Sequence, residues 1–352
     1  MGSVKVVKTL IEPDQNNMGC GNFTFTDGYS VFDWGTMPNS IPGKGVALAM
    51  IAAAAFERLM REHPEIFSHY IGMVDTDGKI KKVRWLSQPS CVMQVNLVRV
   101  IKPTFSNGHY DYSTLASAGR GNYLLPLEVI YRNSLPDGCS IFKRLESGEL
   151  DYHDLGLDSY PVPGQILPKP YFNMTTKLES TDRPLKDWKE VEAIAQISSN
   201  EVIDIQNILS VINELISQMA LDAGLRNEDG KIELAFSPQR DLMVVDVFGT
   251  PDECRFTRNG VQVSKEMLRH YYKSTPWKAA VDYAKAKAKT EGEADWKQFC
   301  KLSPEPLPQA WVDMISNIYK AIANNIVGYS VFKDALPLDK GIEIYQNLCQ
   351  SL

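Results

Sequence analysis

The span 198–248 constrains the fold of this chain most tightly. Ser198-Ser-Asn-Glu201 is a capping box, in which the first and fourth side chains satisfy each other's backbone donors at a helix start. Behind it Ile205, Ile208, Leu209, Ile212, Leu215, Ile216 and Met219 recur at the three-four spacing of one buried helix face. That helix should end near Gly224. The pattern then changes from helical to alternating. Residues 231–236 and 242–248 read as two strands of a hairpin, with 237–241 as the turn. An amphipathic helix feeding an antiparallel hairpin points to helices packed on sheets.

The remaining segments extend that reading. Residues 4–8 and 22–26 are short and β-rich, and Pro38 and Pro42 break the loop 34–45. A helix is predicted over 46–62, stopped by His63-Pro64 because proline cannot continue it. Residues 83–85, 92–100 and 125–131 read as strands. The Gly-, Ser-, Asn- and Tyr-rich segment 104–122 reads as a long loop at a boundary, and 161–170 as a proline-rich loop. Helical signals return near Lys186 and at Ser274-Thr-Pro276, where proline suits the first helical position. Residues 306–352 read as mostly helical. The order is not an alternating βαβ one. The expectation is an α+β fold with antiparallel sheets, packed helices and a cleft between two lobes, residues 1–125 and 126–352.

Composition narrows the function classes. A chain of 352 residues holds one large or two modest domains. Its formal net charge of −6 argues against a general nucleic-acid binder, which carries a basic excess. No run reaches the roughly 18–20 apolar residues of a membrane span, and no basic-then-apolar leader opens the chain. The six cysteines are scattered without a C-x-x-C pair, which fits a reducing cytoplasm rather than a disulfide or zinc framework. The five histidines lack metal-binding spacing. Pro42-Gly-Lys-Gly45 is not a P-loop, and no G-x-S-x-G elbow is present.

What remains is a series of loops and strand ends dense in carboxylates, lysine and arginine. Lys231 and Glu233 stand two apart on a predicted strand and share its face, with Asp246 on the neighbouring strand. Two carboxylates on adjacent strands suit Mg²⁺, which takes few protein ligands and completes its shell with phosphate oxygens and water. Arg132-Asn133 near Gly138-Cys-Ser140 offers a guanidinium fork, a hydroxyl and backbone amides, the parts of a phosphate site. Taken singly, each of these features is more often a solvated face, a salt bridge or a turn. Their joint order along the chain carries the argument.

That joint order resembles the SAICAR synthetase family. The similar motifs are Asp27…Ser30…Asp33 with Ile41-Pro-Gly-Lys-Gly45; Ile66-Phe-Ser-His69; and Glu128…Arg132-Asn133 with Gly138-Cys-Ser140 and Lys143-Arg144. They continue with Thr175-Thr-Lys177…Asp182, Asp229…Lys231…Glu233, and Asp246…Thr250-Pro-Asp252…Arg255-Phe256. The resemblance implies a ligase. ATP activates the carboxylate of carboxyaminoimidazole ribonucleotide (CAIR) as an acyl phosphate, and L-aspartate captures it as an amide. It implies Glu233 and Asp246 as Mg²⁺ ligands, and Arg132, Ser140, Lys231 and Arg255 around the ribose 5′-phosphate. Asp229 lies at the imidazole, and Lys177 and Asp182 at substrate. Lys5 and Lys44 lie near ATP, with Gly2 and Ser3 on the strand over it, and Glu128 lies near the adenine. Either Cys139 or Ser140 takes the family's serine position. Val247 stands where the family has a second acidic residue, and 104–122 reads as an insertion. A homo-oligomer is compatible with the sequence.

Overall fold

A computed structural model describes residues 4–106 and 108–351. In chain order its first half contains β1 (Lys5–Ile11), β2 (Gly19–Phe25), α1 (Lys44–Glu62), β3 (Phe67–Ser68), β4 (Tyr70–Val74), β5 (Ile80–Lys81), β6 (Val92–Leu97), β7 (Thr104–Ser106), β8 (His109–Asp111), α2 (Ser113–Ala116), β9 (Tyr123–Leu124), β10 (Leu127–Leu135), α3 (Ser140–Glu146) and β11 (Gln165–Thr176). There follow α4 (Trp188–Ala195), α5 (Ser199–Asp222), β12 (Arg226–Phe236), β13 (Leu242–Val245), β14 (Cys254–Arg258), β15 (Val261–Gln262), α6 (Glu266–Lys273), α7 (Pro276–Glu291), α8 (Gln309–Val327) and α9 (Leu338–Cys349).

Two main sheets organise the chain. The first runs β1-β2-β6-β4-β5, all antiparallel. The second runs β11-β10-β12-β13-β3, and β9 and β14 also pair with the long strand β12. The α+β architecture expected from the sequence is the observed one. No helix among the described residues is long and apolar enough to cross a membrane. One buried apolar cluster runs from Phe23 and the α1 alanines through Leu209 and Ile212 of α5 to Ile315 and Tyr319 of α8. The C-terminal helices therefore complete a core that the N-terminal residues begin.

Local chemistry explains where α1 starts. Its N-cap, Gly43, makes no side-chain cap, so Asp27 takes over from a distance. The carboxylate of Asp27 accepts from Gly43 N at 3.1 Å and from Gly45 N at 2.9 Å. This satisfies donors that a helix start leaves free and sets a negative charge at the positive end of the helix dipole. Gly45 allows α1 to lie against β2, because a Cβ there would meet the Phe25 carbonyl oxygen at 2.7 Å.

Three sequence expectations need correction. Residues 83–85 form a 3₁₀ turn rather than a strand: Val83 is buried and bonded to Glu57, while Trp85 turns outward under the Arg84 guanidinium. The segment 104–122 is not structureless. It holds the β7–β8 hairpin and α2, tied down by Tyr112 Oη donating to Glu179 at 2.7 Å. The proline-rich segment 161–170 already contains the start of β11. Pro168 and Pro170 are tolerated there because β11 is an edge strand, and the register shifts opposite Asn133, between the Arg132 and Ser134 pairings.

The expected capping box at Ser198 is present, with both reciprocal bonds to Glu201. The three-four stripe behind it is the face that α5 buries. Ser198→Ala removes one half of the box and should cost about 1 kcal/mol. Urea unfolding should show an earlier midpoint at unchanged slope, and an unchanged midpoint would deny the cap any net role.

Candidate active site

The site is built on one face of the second sheet. Alternate residues of a strand share a face, so Glu128, Ile130 and Arg132 of β10 line up with Asp229, Lys231 and Glu233 of β12. On the other side stand Tyr171, Asn173 and Thr175 of β11. Arg255 of β14 lies directly across from Asp229. Gly230 keeps the strands close, since a Cβ there would meet Tyr131 Oη at 2.3 Å.

One end of this face is an arginine cluster. Arg132 and Arg255 both donate to Asp229 Oδ2, at 2.7 and 2.6 Å. Arg132 also donates to Asn173 Oδ1 and to Ser140 Oγ, each at 3.2 Å. Arg255 Nε donates to Glu266 at 2.9 Å. Arg269 also pairs with Glu266, so three guanidinium groups meet two carboxylates and the cluster keeps one positive charge for an anion. Cys139 and Ser140 have different surroundings. Ser140 meets Arg132, whereas Cys139 is buried among Leu135, Ile141 and Leu145, and that burial pushes its thiol up.

The other end, four residues and about 13 Å along β12, holds lysines and carboxylates. Glu128 Oε1 accepts from Lys177 at 2.9 Å and Lys231 at 2.6 Å. Lys177 also pairs with Glu233 at 2.7 Å, Lys231 with Glu253 at 3.4 Å, and Lys5 with Asp246. Burial opposes ionisation of Glu128, but Lys231 and Lys177 outweigh it and bring the carboxyl down to about 2. Burial works against both lysines too, yet the carboxylates around them hold them above the usual range. Burial pushes Lys5 down to about 8, against the pull of Glu233 and Glu253. Asp182 is exposed on the loop after β11, where partial enclosure and then the Glu128 charge push it up to about 7.

The structure thus brings Lys5, Glu128, Lys177, Lys231, Glu233 and Asp246 into one cluster, and Arg132, Ser140, Asp229 and Arg255 into another. Three expected placements change. Lys231, expected around the ribose 5′-phosphate, stands in the lysine–carboxylate cluster with Glu128 and Glu253. The Glu128 carboxylate is committed to lysines rather than free for an adenine, because its side chain projects on the Arg132 face. Lys44 is wholly buried. Its ammonium donates to Asp252 Oδ2 at 2.7 Å, so it is a connector inside the protein and not a surface that ATP can touch. Gly2 and Ser3 lie outside the described residues. Sequence reasoning missed Asn173, which shares the β11 face with Thr175.

Among the described residues no three His, Cys, Asp or Glu side chains form a metal cage. Magnesium does not require one, since nucleotide phosphates and water supply most of its shell. Glu233 and Asp246, hard oxygen donors held only by lysines, fit that pattern. Thr175 Oγ1, across from Glu128 on β11, is buried without a hydrogen-bond partner, an orphan that a ligand or ordered water would satisfy.

Asp246 sits in the left-handed region, with φ 62°. Such a backbone costs a non-glycine residue on the order of 1–3 kcal/mol unless its surroundings fix it. His69 supplies that support: its Nε2 donates to the Asp246 carbonyl at 3.0 Å, and its backbone N–H donates to Val244 O at 3.0 Å. The imidazole packs between Phe23 and Phe56, and burial pushes it down to about 3, so it stays neutral.

The SAICAR synthetase family model matches residues 7–284. The chain belongs to the SAICAR synthetase family. A relative from Archaeoglobus fulgidus, provisionally named as phosphoribosylaminoimidazole-succinocarboxamide synthase, is 42% identical over 94% of this chain and 95% of its own. The phosphoribosylaminoimidazole-succinocarboxamide synthase of Thermoplasma acidophilum is 31% identical over 87% of this chain and 92% of its own. In fold, the chain matches the Saccharomyces cerevisiae SAICAR synthase solved with SAICAR, with a TM-score of 0.61, 18% identity and 94% of each chain covered. It also matches a SAICAR synthetase solved with ADP, with a TM-score of 0.55, 21% identity, and 87% and 99% covered. Family membership makes the chain an enzyme of purine biosynthesis, an ATP-dependent ligase.

His69 gives a pH-dependent test. Its folded value lies below its ordinary 6.5, so its contribution to stability is complete above pH 6.5 and is lost as pH falls toward 3, at roughly 1.4 kcal/mol per pH unit. His69→Phe should lose about 1–3 kcal/mol at pH 7.5, because the Asp246 carbonyl loses its donor. Its stability should then fall less steeply than wild type between pH 6.5 and 5. Parallel urea-derived curves for the two proteins would exclude this role.

Proposed function

We propose that the chain joins L-aspartate to the carboxylate of CAIR, forming SAICAR through an acyl phosphate. The observation that carries this reading is the division of one sheet face into an arginine end and a lysine–carboxylate end. A substrate with a phosphate at one end and a carboxylate at the other fits that division.

Arg132, Ser140 and Arg255 hold the ribose 5′-phosphate by charge-assisted hydrogen bonds. Asp229, fixed by both arginines, orients the imidazole nucleotide. Lys5 binds ATP phosphates, and Lys177 and Lys231 neutralise charge as the CAIR carboxylate oxygen attacks the γ-phosphorus and ADP leaves. Lys177 and Asp182 face the incoming aspartate, whose nitrogen attacks the acyl carbon while phosphate departs and the nitrogen gives up a proton. Glu128 keeps the two lysines in place. Glu233 and Asp246 would hold Mg²⁺, which supplies charge neutralisation on the ATP phosphates when bound. The protein contributes positioning and fixed charge, and no side chain forms a covalent intermediate. Residues 1–125 then supply the ATP-binding part, and 126–352 the substrate-binding part together with the Mg²⁺-ATP contacts of Glu233 and Asp246.

The test is an ADP-release assay. ADP should appear only when ATP, magnesium, CAIR and L-aspartate are all present, and product mass should match the amide. Release with another amine but not L-aspartate would overturn the substrate assignment. Glu233→Gln should lower kcat by at least about 100-fold while circular dichroism stays native. Arg255→Ala should mainly raise KM for CAIR, by about 10–100-fold; an unchanged KM would remove Arg255 from the phosphate pocket.

A further inference from the structure

The family model ends at residue 284, short of α8 and α9. Yet α8 reaches the site through one buried contact. Tyr319, wholly buried on α8, donates its hydroxyl to Asp252 Oδ1 at 2.6 Å. The other oxygen, Oδ2, accepts from Lys44 at 2.7 Å. The Lys44 ammonium lies 5.3 Å from the centre of the Tyr319 ring, so the ring faces the cation as the hydroxyl holds the anion. The Lys44 and Asp252 side chains are 0% and 5% exposed. An ion pair this enclosed holds its geometry only when its remaining polar valences are filled, and Tyr319 fills one of them.

Asp252 sits in the turn that carries the site's last two charged residues. Its own N–H donates to Thr250 Oγ1 at 3.3 Å, and Glu253 N and Cys254 N both donate to Thr250 O, at 3.1 and 2.8 Å. Lys231 N donates to Glu253 O at 3.2 Å, which ties the turn to β12. One residue beyond Cys254, Arg255 enters the arginine cluster by its bond to Asp229. The Asp252 carboxylate therefore anchors the turn from behind, and its clamp comes from α1 on one side and α8 on the other. A second polar tie, Ser316 Oγ to Pro42 O at 2.6 Å, fixes α8 to the start of α1 without touching Asp252.

We infer that Tyr319 is a positioning residue: through Asp252, helix α8 sets the 250–255 turn and thereby the placement of Glu253 and Arg255 at the substrate. The activity part of this inference rests on the function proposed above.

The test compares Tyr319→Phe, which removes only the hydroxyl, with Ser316→Ala, which cuts a different polar tie of α8, the one to Pro42. In the free proteins, amide hydrogen exchange is measured across the chain. Tyr319→Phe should speed exchange of residues 250–256 about tenfold or more, with the rest of the chain near wild type. Ser316→Ala should leave 250–256 unchanged. In the ADP-release assay Tyr319→Phe should lower kcat/KM for CAIR about tenfold, chiefly through KM, with KM for ATP within about twofold. Unchanged exchange at 250–256 in Tyr319→Phe overturns the inference. So does an equal rise in both variants, which would mean that α8 merely contributes bulk stability. If the wild-type protein releases no ADP from CAIR and L-aspartate, the proposed function fails, and the exchange comparison, made without substrate, still decides the role of Tyr319.

Discussion

Glu128 accepts hydrogen bonds from Lys177 and Lys231 on one oxygen, and the charged face of the second sheet depends on that neutralisation. A carboxylate buried on a sheet is costly alone, and so are two enclosed ammonium groups. Brought together, they hold one another ionised. The same lysines then reach onward to Glu233 and Glu253. Removing Glu128 would take away the one carboxylate that Lys177 and Lys231 share, so the cluster behaves as a unit rather than as a sum of pairs.

Strand periodicity turns this chemistry into geometry. Charged residues at 128 and 132 on β10 and at 229, 231 and 233 on β12 are spaced by even numbers, so on each strand they cannot avoid sharing a face. The arginine end and the lysine end are held at a fixed separation by the strand itself, which is more rigid than any loop. The strained backbone at Asp246 is the exception, where the strand ends and a neutral buried histidine takes over as the support.

Much of this was readable from the residues. The period-two placement of Asp229, Lys231 and Glu233 and the hairpin to Asp246 announced one face directly, and the capping box at Ser198 marked the helix behind it. The edge strand β11 was not readable, because Pro168 and Pro170 are turn residues by local chemistry and only the free edge of a sheet makes them acceptable. With β11 unrecognised, Asn173 and Thr175 had no face to belong to. Lys44 misled for a different reason. A lysine between glycines looks like a phosphate ligand, and the carboxylate that buries it stands 208 residues further along the chain. Contacts of that separation leave no local signature.

The packing of α8 on the start of the chain has a consequence for how the molecule is made. The bond between Ser316 and Pro42 spans 274 residues. A chain leaving the ribosome exposes the apolar face of α1 long before the helix that covers it has been synthesised. Early contacts cannot finish the core, and closing loops this long slows folding and prolongs the exposure of sticky surface. For this architecture, completion of the N-terminal core waits until α8 has been made.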